Sequence, residues 1–150
     1  MRFILSIAFI LSSFGAFAQA TDNENENDNQ IIWSFISDLA NYDIALDVIL
    51  SQHLVVNEPS DELYDYLEAS LEEVRINLMT KKLKEIKYIP YAQMSRRDVR
   101  DIDPEGLNTI QMYFLNYRNR QMLAVYVAEG KIGSFTLVSK GHNQAHFVLY

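Results

Sequence analysis

The chain has 150 residues, 49% of them apolar and 12% aromatic, with 20 acidic residues against 13 basic ones and no cysteine. This composition fits one globular domain and excludes a disordered chain, a disulfide framework, a thiolate metal site and a cysteine nucleophile. A net charge of -7 argues against a sequence-independent nucleic-acid binder, because counterion release needs a net basic surface.

The first 18 residues read as a secretory signal. Arg2 supplies a positive start, Phe3 to Phe14 is an uncharged and mostly apolar run, and Ala16-Phe17-Ala18 puts small residues where a signal peptidase reads. The run is shorter than the roughly 20 residues of a bilayer-spanning helix. Cleavage is expected after Ala18, with Ala20 as the alternative frame, giving a secreted or periplasmic product with no transmembrane anchor in its mature form. Residues 19–29 follow as a spacer. Thr21 to Asn29 holds no apolar side chain and four acids, so it is expected to be disordered and solvated. Its alternating Asp, Asn and Glu match a calcium loop only superficially, since the glycine of the bend is missing.

Residues 30–150 are read as a single α+β domain. From Gln30, Ile32, Phe35, Ile36, Leu39, Tyr42, Leu46, Ile49 and Leu50 recur at helical steps, which predicts one amphipathic helix bent near Asn41. It should end by Asn57, because Glu58 precedes Pro59. Ser60 is a good N-cap for a second helix, with Asp61 and Glu62 at its positive end and Lys81, Lys82 and Lys84 at its last turn. Leu63, Leu67, Leu71, Val74 and Leu78 form that helix's apolar stripe. After Glu85 the period becomes two. A strand around Ile86 to Tyr91 is demoted to an edge by Pro90. Arg96 to Gly106, with seven charged residues, reads as a loop with room for one helical turn. Four strands are then expected: Thr109 to Tyr117, Gln121 to Ala128, Ile132 to Ser139 and Ala145 to Tyr150, joined by short antiparallel links.

The predicted architecture is two N-terminal helices packed on a four- to five-stranded antiparallel meander. In element order this resembles the layout of cystatin-like and NTF2-like domains. The likeness is an analogy of layout, carried by no residue motif and silent on activity.

No set of side chains stands out as catalytic, metal-binding or cofactor-binding. His142 and His146 are four apart, but on a turn and a strand, where extended chain separates them by about 13 Å at roughly 3.3 Å per residue. His53 suits a helix C-terminus. Ser139 and Lys140 are strand neighbours that point to opposite faces, so the lysine cannot activate the hydroxyl. The tyrosines are more suggestive. Tyr113, Tyr117 and Tyr126 fall opposite in phase to the apolar stripe. If the sheet's outer face shows these rings with Arg118, Arg120 and Lys131 at its rim, the composition is that of an interface. Otherwise a twisted sheet on two helices buries parts of both its faces and the rings are partly core. If instead a cleft lies between helices and sheet, its polar groups are expected to be His146 with Asp98 or Asp101.

Charge is segregated along the chain. Asp22 to Val74 contains 14 acids and no Lys or Arg, whereas Arg75 to Tyr150 contains 12 bases and 6 acids. The folded molecule should therefore be polarised, acidic on its helices and mildly basic on its sheet. The expected function is that of a non-enzymatic interaction domain, with an unknown protein or an anionic glycan or lipid at the basic sheet side, nucleic acid excluded, and a homodimer formed through the sheet as one option. The alternative is a small pocket protein of cystatin-like or NTF2-like layout that binds or hydrolyses a small molecule.

Overall fold

The computed structural model describes the backbone from Gly15 and the side chains from Asn25, both through Tyr150. The expected signal run Phe3 to Phe14 lies outside the described residues. The fold is α+β, with four α-helices, a four-stranded antiparallel sheet and a separate two-stranded one among the described residues.

The first helix, α1 (Gly15–Ala40), takes in both expected cleavage frames and the acidic run 21–29, which was expected to be a disordered spacer. Within that run a long-range contact involves Asn25 and Asp28: Asp28 is buried, and the Tyr113 hydroxyl donates to its Oδ2 at 2.9 Å with Asn25 Oδ1 equally close. Ile32, Phe35, Ile36 and Leu39 form the fully buried stripe of α1. The bend expected near Asn41 is a complete break. The Asn41 side chain accepts from Asp43 N at 3.0 Å, replacing helical hydrogen bonds with a local turn, and α2 (Leu46–His53) starts afresh. The carbonyls left without helical partners at this break are satisfied by the buried Arg75, which donates to Leu39 O at 2.8 Å and to Ile44 O at 2.7 Å. Arg75 belongs to α3 (Asp61–Leu78), whose cap is the expected one: Ser60 Oγ accepts from Leu63 N at 3.1 Å. Leu67, Leu71 and Leu78 are buried against α1 and α2.

The large sheet is a meander of β1 (Lys87–Pro90), β2 (Met112–Tyr117), β3 (Arg120–Ala128) and β4 (Lys131–Ser134). Pro90 ends the edge strand, in keeping with its missing N–H. The opposite edge, on β4, is covered by the chain leaving α2, where Val55 N donates to Ile132 O at 2.9 Å. Register fixes the faces. Tyr113 pairs with Val125 and Leu115 with Leu123 on the helix side, while Met112 pairs with Tyr126 and Phe114 with Ala124 on the outer side.

The strand expected from Ile132 to Ser139 is split. Ser134 Oγ accepts from Thr136 N at 3.1 Å, the chain turns, and β5 (Leu137–Gly141) pairs only with β6 (Gln144–Phe147). The last strand therefore stops at Phe147, not at Tyr150. This hairpin and the segment 91–107, which contains the single-turn helix α4 (Arg96–Val99), lie over the outer face of the meander. Phe147, Leu137, Tyr91, Met94 and Leu107 pack there against Met112, Phe114 and Tyr126. Both faces of the sheet are thus covered by protein. No helix among the described residues is long and apolar enough to cross a membrane.

Candidate functional site

The covered outer face separates the residues expected to form one patch. Tyr113 is fully buried toward the helices, and Tyr126 is buried on the opposite side, where its hydroxyl donates to Gln111 Oε1 at 3.1 Å and its ring lies 6.2 Å from that of Phe147. Neither presents a ring to a partner. Lys131 begins β4 at the far end of β3 from Arg120, roughly 26 Å away at about 3.3 Å per residue. It donates to Ser51 O at 2.9 Å beside a shallow pocket of about 240 Å³ that also includes His53. His53 itself does more than complement a dipole, because its Nε2 pairs with Asp38 Oδ2 at 2.8 Å.

Tyr117, Arg118 and Arg120 do come together, and Lys81 joins them. β2 and β3 are connected by the two residues Arg118 and Asn119, with φ of 48° and 64°. Both are left-handed, the geometry of a tight hairpin turn that matches the sheet's twist and favours Asn or Gly. Arginine is an uncommon residue in this geometry. The turn places the Arg118 guanidinium 5.2 Å from the centre of the Tyr117 ring. From the other side of the groove, the chain leaving α3 brings Lys81 Nζ to 5.9 Å from the same ring, where it is held by Asn77 O at 2.7 Å and by the Asn77 side chain. With Arg120, Gln121 and Met122 these residues line an open groove of about 470 Å³.

The electrostatics of this groove are one-signed. Three cations line it and no carboxylate does, and among the described residues Lys81, Arg118 and Arg120 have no acid within ion-pair distance. Lys84 and Lys87 nearby are likewise exposed and unpaired, while Lys82 pairs with Glu85 at 3.3 Å. Like charges gathered on a surface repel one another, and an arriving anion relieves that repulsion while taking hydrogen bonds from both guanidinium groups. The arrangement is suited to holding phosphate, sulfate or carboxylate groups. It contains no nucleophile and base in register for covalent chemistry.

The expected pocket set is rearranged in the same way. His146 Nδ1 meets Glu105 Oε2 at 2.6 Å, and Glu105 Oε1 also accepts from Lys140 at 2.7 Å, with Asp103 on the same lysine. Asp98 instead lies inside α4, where Ser95, the N-cap, accepts from Asp98 N and donates its Oγ–H to Asp98 Oδ2 at 2.7 Å, and Asp101 pairs with Arg100 at 2.9 Å. The Lys140 hydrogen bond is the main cause that holds both Asp103 and Glu105 below the usual carboxylate range. The Glu105 backbone N–H adds to it at Asp103, and His146 adds to it at Glu105. This exposed network ties the β5–β6 hairpin to the loop 101–105, reinforced by Ala145 N donating to Asp101 O and Asp103 N donating to Ala145 O, both at 2.8 Å.

Sequence reading missed Lys81 as a groove residue, since a lysine after a helix is fully explained by the helix dipole. Only the packing of α3 against the meander brings it to a turn 37 positions further on. No family model, curated protein or solved structure matches the chain.

Proposed function

We propose that the protein is a secreted or periplasmic, non-enzymatic binding domain whose working surface is the groove around Tyr117, and that its partner is anionic. The observation that carries this reading is the convergence of Lys81, Arg118 and Arg120 on one groove without a single lining carboxylate. The left-handed backbone of Arg118 supports it. It sets the guanidinium 5.2 Å from the centre of the Tyr117 ring, on the groove. The segregation of acids onto the helices leaves this end of the molecule as the place where an anion is attracted.

The test is titration of the full chain with heparin as a soluble polyanion at two ionic strengths. Saturable binding that weakens at high salt, and that weakens further in the double variant Arg118→Ala/Arg120→Ala, is the expected result. Binding unaffected by that variant would overturn the reading.

A further inference from the structure

The three most exposed large apolar side chains among the described residues are Met79, Ile76 and Tyr42, at 66%, 54% and 53% of full exposure. They are not scattered. Ile76 and Met79 are three apart at the C-terminal end of α3, and the Tyr42 hydroxyl reaches the Met79 sulfur at 2.9 Å. Lys81, two residues beyond Met79, is part of the basic groove, and Lys82 and Lys84 follow in the same exposed stretch. Apolar knobs and cations therefore share one end of the molecule.

We infer, on the reading that the basic groove is the working surface, that this end docks on an anionic lipid bilayer. A soluble glycan would use the cations but offer nothing to an exposed methionine and isoleucine. A bilayer surface offers headgroup phosphates to Lys81, Arg118 and Arg120, and directly beneath them the acyl boundary in which Met79 and Ile76 lose water. The charge map orients the approach. Asp61, Glu62 and Asp65 lie toward the opposite end of α3, about 21–27 Å from Met79 at 1.5 Å per residue, well beyond a Debye length of about 8 Å, so an anionic membrane attracts one end and repels the other. Asp43 adjoins Tyr42 in the chain and is exposed, and Glu72 and Glu73 lie within the turn of α3 before Ile76. Glu72 faces Arg75 at 4.0 Å and Glu73 borders the Asn77 and Met122 flank.

Flotation of the full chain with vesicles of 30% phosphatidylglycerol in phosphatidylcholine tests the inference, with pure phosphatidylcholine vesicles and soluble heparin as parallel arms. Binding to the anionic vesicles and not to the neutral ones is expected. Arg118→Ala and Arg120→Ala should each weaken vesicle binding about five-fold and weaken heparin binding as well. The pair Ile76→Ser/Met79→Ser should weaken vesicle binding about ten-fold and leave heparin binding unchanged. Ile76, Met79, Arg118 and Arg120 are all exposed, so the variants keep the core intact. Heparin binding without vesicle binding, or vesicle binding indifferent to the Ile76/Met79 pair, would overturn the lipid inference and leave the anion-binding reading standing. Failure to bind either probe would overturn both.

Discussion

Arg118 and Arg75 show two opposite uses of arginine. Arg118 occupies a left-handed turn position that disfavours it, so Arg118→Asn is expected to raise stability by about 0.5–1 kcal/mol while weakening anion binding. Thermal unfolding and heparin titration of the same variant check the two signs together, and a stability loss would show that the guanidinium's contact with Tyr117 outweighs the backbone strain. Arg75 is buried and spends its donors on the two carbonyls at the α1–α2 break, beneath the Tyr42 ring at 5.1 Å. Arg75→Met keeps the packing and orphans both carbonyls, which should cost about 2–3 kcal/mol in denaturant unfolding. Gly133 is explained by space alone. A Cβ there would sit 2.9 Å from the Ala128 Cβ and 3.2 Å from the Tyr126 ring, so Gly133→Ala should destabilise by about 1–3 kcal/mol.

Among the elements, the β5–β6 hairpin adds an exposed charge network to the apolar packing of Leu137 and Phe147. Asp103 and Glu105 have lowered pKa values in the folded state, so their contribution is complete above their ordinary values of 3.8 and 4.5 and is lost as pH falls through the lowered ones. Amide exchange at Ala145, corrected for the intrinsic rate, is therefore expected to accelerate below about pH 4 before the core amides of β3 do. Simultaneous opening of both would contradict a separately tethered hairpin. The elements also show where sequence reading works. The α3 stripe and its Ser60 cap were legible because every determinant lies within a few residues, and the same holds for Pro90 at the edge. The burial of Asp28 was not legible, because its hydrogen-bond partner Tyr113 is 85 residues away. The two tyrosines were assigned to one face because register was not followed through the turn. Met112 pairs with Tyr126, which sends Tyr113 and Tyr126 to opposite sides.

For the molecule as a whole, the central feature is polarity, acidic along the helices and basic at the end where α3 meets the β2–β3 turn. The charge segregation was legible as a count along the chain. The site it produces was only half legible, since Tyr117, Arg118 and Arg120 are neighbours in sequence while Lys81 and the apolar knobs arrive through packing. Whole-molecule stability has its own pH signature. Burial without a hydrogen-bond partner pushes the Tyr88 hydroxyl up to about 12, and burial raises Tyr150 as well. A proton held more tightly in the folded chain means stability is full below pH 10 and falls as pH rises toward 12. Unfolding in denaturant should therefore shift to lower midpoints across that window, and Tyr88→Phe should flatten the fall.

The most direct test of the anion-binding groove is to map amide chemical shifts of the full chain during titration with a heparin oligosaccharide. Shifts centred on Lys81 and on Tyr117 to Gln121, saturating together and suppressed by salt, are predicted. Shifts centred on Lys131 or on the His146 and Glu105 network, or no saturable shifts at all, would contradict it.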